Sequence, residues 1–181
     1  LTVSDNAGAD TGTFDAWSLL FGEPGEPVCP QEIAADLDIK PGSCPNAFNP
    51  RGKGVLPVAL LGTADFDVTL VDISTVVISR ADGVGGSVAP NEGPPGPSTT
   101  LGDTATPFDG ELCDCHELEG DGITDLNFKF IKQEVVDVLE LDDLAGGDSV
   151  AVIVSGQMLD GTAFVASDCL WIVPGAMQLR H

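Results

Sequence analysis

Apolar and polar positions alternate over short runs, and each run stops at a cluster of Gly, Pro, Asn or Asp. Leu37 to Lys40 is read as a short strand ended by Pro41-Gly42, and Val55 to Leu61 as a buried strand after the turn Arg51-Gly52-Lys53-Gly54. Val76 to Ser79, Leu126 to Phe130, Ser149 to Ser155, Ala163 to Ala166 and Cys169 to Val173 continue the series. Turns are expected at Asp72-Ile73-Ser74 and Asp160-Gly161, and a surface loop over 81–100. Pro57 lacks a ladder donor, which predicts an edge or a bulge at that strand. Helical spacing occurs only over Glu134 to Leu141, where Val135, Val138 and Leu139 share a face. Closely spaced strands with turns between them predict an all-β fold, a β-sandwich of jelly-roll or immunoglobulin-like type with at most one short helix. This domain is expected over 36–174, followed by a tail over 175–181.

Residues 1–22 carry their own pattern. Leu1 to Val3 and Ala16 to Phe21 read as two strands joined by a loop of Asp, Asn, Gly and Thr. Two strands alone are marginal in water, yet Val3, Trp17, Leu19, Leu20 and Phe21 need burial. The next stretch, 23–35, reads as a Gly/Pro linker. The two-strand segment therefore needs an external sheet: either polypeptide precedes Leu1, or these strands complete a sheet in another molecule.

Charge narrows the partners. With 29 acidic and 7 basic residues the chain carries a formal charge of −22, which excludes phosphate-rich nucleic acid and anionic membrane surfaces as binding partners. The longest apolar runs, Val55 to Leu61 and Val150 to Val154, fall far short of the ~20 residues a spanning helix needs, so no membrane insertion is expected. Lacking a signal peptide and an initiator Met, the sequence reads as a processed or partial chain. Five cysteines without a C-x-x-C pair suggest disulfides and an extracellular or cell-surface location of bacterial secreted type. Cys44 and Cys169 lie near the first and last strands of the domain, so a Cys44–Cys169 bridge is the leading pairing. Cross-pairings with Cys113 and Cys115 stay open, and Cys29 is left over in the linker.

Glu117-Leu-Glu-Gly-Asp-Gly-Ile-Thr-Asp125 places carboxylates at loop positions 1, 3, 5 and 9, with Gly122 at the turn and the Ile123 carbonyl at position 7. Alternate oxygens converging on one hard cation are the logic of a calcium loop, so Glu117, Glu119, Asp121, Ile123 and Asp125 form a first candidate site and calcium the expected cofactor. Phe128 at position 12 and a following strand set this loop apart from an EF-hand. Asp5, Asn6, Asp10 and Asp15 form a second, weaker candidate, for which Asx-turn hydrogen bonding is an equal explanation. Asp36, Asp38, Asp65 and Asp67 read as solvated strand-end carboxylates. Cys113, Cys115 and His116 offer three zinc-type donors, but an oxidising location favours disulfides. Nothing resembles a catalytic motif: the chain has two histidines, one of them the terminal His181, and no nucleophile elbow, H-E-x-x-H or phosphate loop. Trp17 and Trp171 could stack on sugars or pack in the core, with packing the preferred reading.

The series Val3-Ser4-Asp5, Asp10, Gly12-Thr13, Trp17 and Leu19 resembles the last two strands of the P/Homo B domain, the β-sandwich that follows the catalytic domain of proprotein convertases and many secreted subtilisin-like proteases. That resemblance implies loop-bound calcium and adds to the second candidate site. From Asp36 to Val173, D-L-D-I-K-P-G-S-C-P-N-A-F-N, G-V-L-P-V-A-L-L-G-T-A-D-F-D-V and E-G-D-G-I-T-D-L-N-F-K-F resemble an uncharacterised β-domain family of secreted bacterial and archaeal proteins. It implies an extracellular β fold without catalytic activity. The resulting expectation is a non-enzymatic, calcium-binding structural subunit that polymerises head-to-tail by donating its N-terminal strands. Alternatives are an accessory region of a secreted hydrolase and a carbohydrate-binding module with glycan partners.

Overall fold

The computed structural model describes residues 32–93 and 99–174. The N-terminal strands with their contacts Val3, Trp17, Leu19, Leu20 and Phe21, the site at Asp5, Asn6, Asp10 and Asp15, and Cys29 lie outside the described residues, as does 175–181.

The described chain is all-β with one short helix. In order it forms β1 (Ile33–Ile39), β2 (Ala47–Phe48), β3 (Val55–Leu61), β4 (Val71–Arg80), β5 (Ser87–Val88), β6 (Thr99–Gly102), β7 (Asp125–Ile131), α1 (Lys132–Val138), β8 (Ser149–Met158) and β9 (Ala163–Ile172). These nine strands share one hydrogen-bonded path, β5-β4-β8-β9-β1-β3-β7-β6, with β2 beside β9. β1 and β2 run parallel to β9, and every other pair is antiparallel.

The sheet rolls over on itself. α1 packs against both β5 and β7, which stand near opposite ends of the path. Gly86 N–H donates to the Val138 carbonyl at 2.9 Å, and Asn91 N–H to that of Lys129 at 2.8 Å. Side chains on the inner face, every second residue of each strand, therefore meet in one core: Leu56, Val58 and Leu60 of β3, Phe128 and Phe130 of β7, Val152 and Val154 of β8, Phe164 and Leu170 of β9. α1 plugs the gap with Val135 and Val136, and Leu139 just beyond it is also fully buried. Val138, expected inside, is instead 36% exposed, while its carbonyl serves β5.

Several local expectations are redrawn. The two runs Ala163 to Ala166 and Cys169 to Val173 are one strand, because Asp168 is accommodated inside it. The turn at Asp72-Ile73-Ser74 is a bulge within β4: the register with β8 shifts between Asp72 and Val77, and Asp72 Oδ1 accepts the Ser74 N–H at 3.1 Å. β1 starts at Ile33, inside the stretch read as linker, and β5 and the start of β6 fall within the expected 81–100 loop. Pro57 sits in an interior strand, not at an edge. The ladder with β1 ends at Ile39↔Val58, and Lys40, with φ 57°, turns away while its N–H donates to the Pro57 carbonyl at 2.9 Å. The missing proline N–H thus falls where no ladder acceptor remains.

Phe164 is fully buried, and its ring meets Phe66 at a centroid distance of 5.7 Å. Phe164→Ala is expected to cost about 3–5 kcal/mol, read as a lowered urea midpoint with an unchanged denaturant slope.

Candidate functional site

Between β6 and β7 the chain makes a long irregular excursion over 103–124. It lies across the outer face of the sheet, where Ala105 packs on Ala59 and Leu61 of β3. Strand alternation turns Asp36 and Asp38 of β1 to the same face, opposite Leu61 and Ala59. Beneath this covering the protein buries three carboxylates: Asp38 at 3% exposure, Asp125 at 0% and Asp168 at 5%.

Asp125 is a clamp. Its Oδ1 accepts Gly62 N–H at 3.0 Å, and its Oδ2 accepts Thr104 N–H at 2.7 Å and Ala105 N–H at 3.1 Å. One carboxylate therefore ties the exit of β3 to the start of the excursion. Gly62 makes the approach feasible, because a Cβ there would stand 2.2 Å from the Thr124 carbonyl oxygen.

Asp168 does the same where two strands change places. β1 pairs with β9 up to Asp36↔Ser167, and β2 takes over at Ala47↔Trp171. In the gap, Asp168 Oδ2 accepts Ile39 N–H at 2.8 Å and the Asn46 amide at 2.9 Å, and Oδ1 accepts Cys169 N–H at 2.6 Å. Burial pushes its carboxyl up, against the hydrogen bonds from Ile39 and Cys169 and the nearby charge of His116. Asp38 has no such donors among the described residues. Burial first, then the charges of Asp168 and Asp125, raise its pKa to about 7. Asp36 is also raised, by burial and by Asp109.

The excursion is stapled down by two disulfides, Cys44–Cys115 and Cys113–Cys169, with Cα separations of 5.3 and 5.0 Å, inside the range a bridge allows. The four cysteines expected to pair do so, but not as Cys44–Cys169. Cys113 and Cys115 of the excursion each take one of them, Cys115 bonding Cys44 of the β1–β2 loop and Cys113 bonding Cys169 of β9. Their sulfurs are thereby spent, which removes the three-donor zinc set from the oxidised protein. His116 stacks on Phe108 at 4.4 Å. Beside this pair opens a cavity of about 210 Å³, with Asp36, Asp168, Glu111 and Asp114 in its wall, His116 as its one basic side chain and no Lys or Arg.

The first calcium set is not brought together. Glu117, Glu119, Asp121 and Ile123 are exposed, whereas Asp125 is buried. The expected tight turn exists, with Gly122 at φ 92°, but it is satisfied internally. Asp121 Oδ1 accepts Ile123 N–H at 2.9 Å, Asp103 Oδ2 accepts Gly122 N–H at 2.9 Å, and Thr106 Oγ1 donates to the Glu119 carbonyl at 2.6 Å. With both bridges formed, no three His, Cys, Asp or Glu side chains among the described residues are grouped to hold a metal ion. These residues do not fit calcium as a ligand set, and Asp125 works on backbone amides instead.

Asp38 was expected in solvent and is buried. Asp103 and Asp168 carry structural roles that no spacing in the sequence signals; the only hint is an excursion long enough to cover a sheet face. Asp67 keeps a local role, accepting Thr69 N–H at 2.9 Å ahead of the 3₁₀ turn Val68–Leu70. Trp171 is half-buried in β9, where it pairs with Ala47 and Ser149. Among the described residues no helix is long and apolar enough to cross a membrane. No family model, curated protein or solved structure matches the chain.

Asp125→Ala orphans three amide donors, those of Gly62 and Ala105 buried and that of Thr104 half-buried, and is expected to cost roughly 3 kcal/mol. Urea midpoints in excess calcium and in EDTA should fall equally; a loss confined to calcium would show that the carboxylate serves a metal. Asp38 sets a pH dependence. Its folded pKa of about 7 lies above the ordinary aspartate value of 3.8, so between these pH values the folded state binds more protons than the unfolded one. Stability therefore declines from about pH 4 to pH 7 and levels off above. Asp38→Asn, which keeps the shape without the charge, should raise Tm at pH 8 by roughly 3–6 °C and flatten that decline.

Proposed function

We propose that this chain is a non-enzymatic extracellular structural subunit that assembles head-to-tail through a sheet edge. The observation that carries the reading is the end of the strand path at β6. This strand pairs only with β7 among the described residues. Its sequence, Thr-Thr-Leu-Gly, holds no charge and no proline, the devices that ordinarily blunt an edge. Leu101 within it is 56% exposed. Such an edge can accept an extended segment by main-chain hydrogen bonding, with apolar side chains adding specificity. The donor in this reading is the apolar segment Ala16 to Phe21 of another copy. Contacts of this kind do not close on themselves, so they build fibres rather than rings.

Two further features support it. Disulfides persist in oxidising surroundings, which suits a secreted or surface location. The cysteines in the described domain are bonded in pairs, and His116 has an aromatic ring rather than a nucleophile against it, which suits a role without chemistry.

A charge of −22 makes copies repel one another, and salt screens that repulsion over a Debye length of about 8–10 Å near physiological ionic strength. Assembly should therefore lengthen as salt rises, followed by light scattering and negative-stain electron microscopy. Deleting 1–22, or Leu101→Lys at the edge, should leave monomers at every salt concentration. Fibres that persist in both variants would rule out strand donation to β6.

A further inference from the structure

The four bridged cysteines form a single cluster. Cys44 from the β1–β2 loop, Cys113 and Cys115 from the excursion, and Cys169 from β9 all line one small void of about 30 Å³, room for one or two atoms the size of a water oxygen. His116 joins them in that wall, and its Nδ1 is buried without a hydrogen-bond partner. Cys113 and Cys115 are exposed while Cys169 is buried, so reagents can approach from the side of the excursion.

We propose that, when both bridges are reduced, these four cysteines become a tetrahedral site for a thiophilic divalent ion of the zinc type. Zinc in structural sites takes four ligands, commonly four thiolates or three thiolates and an imidazole, at about 2.3 Å for sulfur and 2.0–2.1 Å for nitrogen. Cys44, Cys113, Cys115 and Cys169 supply the first set, and His116 stands ready as the alternative fourth donor. The redox balance is simple. A dithiol or phosphine reductant delivers two electrons to each disulfide, and two protons complete two thiols. Binding then deprotonates the thiols, and each thiolate–metal bond releases one proton to solvent.

The site requires that the sulfurs stay together once the covalent links are gone, and the hydrogen bonds provide for this. Asn46 donates to Asp168 Oδ2 at 2.9 Å and to the Cys169 carbonyl at 3.1 Å, holding the Cys44 loop against β9. Asp125 grips the start of the excursion through Thr104 and Ala105, and Asp103 grips its end through Gly122. None of these contacts depends on a sulfur–sulfur bond. In the oxidised protein each sulfur is neutral and bonded, so the same residues are a poor ligand set. The bridges and the metal are thus two exclusive states of one cluster, selected by the redox poise around the protein. A chain still in a reducing compartment would carry an ion where the exported chain carries two bridges.

The test uses the whole chain with Cys29→Ser, which removes the remaining thiol. The protein is reduced with a phosphine, freed of reductant without oxygen and titrated with cobalt(II), then with zinc(II). One equivalent of cobalt should bind, with the strong near-ultraviolet thiolate-to-metal absorption of a tetrahedral site of at least three thiolates. Zinc should displace it one for one and raise Tm above that of the reduced, metal-free protein. The oxidised protein should show no such absorption. The doubly substituted Cys113→Ser, Cys115→Ser protein, whose fold is checked by circular dichroism, should lose both absorption and stoichiometry. Three results would overturn the proposal: no uptake beyond that of the oxidised form, uptake undiminished in the double variant, or a reduced chain that unfolds and is not refolded by one equivalent of zinc.

Discussion

A buried carboxylate facing three backbone N–H groups is the contact on which the covered face of this sheet depends. Asp125 lies at the first position of β7 and reaches both the last turn of β3 and the start of the long excursion. Without it, the start of the excursion would lose its three amide contacts, and the cover over β1 and β3 would rest on the two disulfides and the Ala105 contact. An ionised carboxylate with several amide donors is among the stronger hydrogen-bonding arrangements available to a protein. Here it works beside the small apolar contact of Ala105 with Ala59 and Leu61. The cost appears next door. Asp38 and Asp168 are buried as well, and burial first, then the charges of Asp168 and Asp125, leave Asp38 holding its proton up to about pH 7.

Much of the fold can be read from alternation alone. The inner-face residues of β3, β7 and β8 follow a period of two without interruption, so Val55 to Leu61 is located to the residue. The short helix also follows from the pattern because valines and a leucine recur at helical spacing ahead of an acidic turn. Elements escape where long-range pairing overrules local chemistry. Asp168 would end a strand by composition, but amides from β1 and its own strand satisfy it, and β9 continues. Pro57 reads as an edge until the end of β1 is seen to coincide with it. The two-residue strands β2 and β5 exist only because a neighbour passes, and nothing local encodes them.

The site was less legible, for one physical reason. A carboxylate that binds a cation and one that binds amides have the same sequence. The stretch Glu117 to Asp125 has calcium-loop spacing, but spacing describes a ligand set only when the backbone curls around one point. Here the chain bends at Gly122 and Ile123 and then enters β7, so Asp125 is buried while Glu117 and Glu119 stay exposed. The disulfides illustrate the same limit. Cys44 and Cys169 line one void, but the excursion could not be placed there from the sequence, and its Cys115 and Cys113 take both as partners.

The cross-links also decide how this protein would answer a pull. Tension entering at β1 and leaving beyond β9 acts on two adjacent parallel strands in opposite directions, so the ladder from Ile33↔Phe164 to Asp36↔Ser167 is loaded in shear, all bonds at once. If that ladder gives way, the chain still cannot pay out. A covalent route runs from Cys44 to Cys115, through Asp114 to Cys113, and across to Cys169, so the loops on either side of it, and nearly the whole sheet, lie off the load path. The domain behaves as a short, almost inextensible link, and breaking its sulfur bonds is what would turn it into a long one.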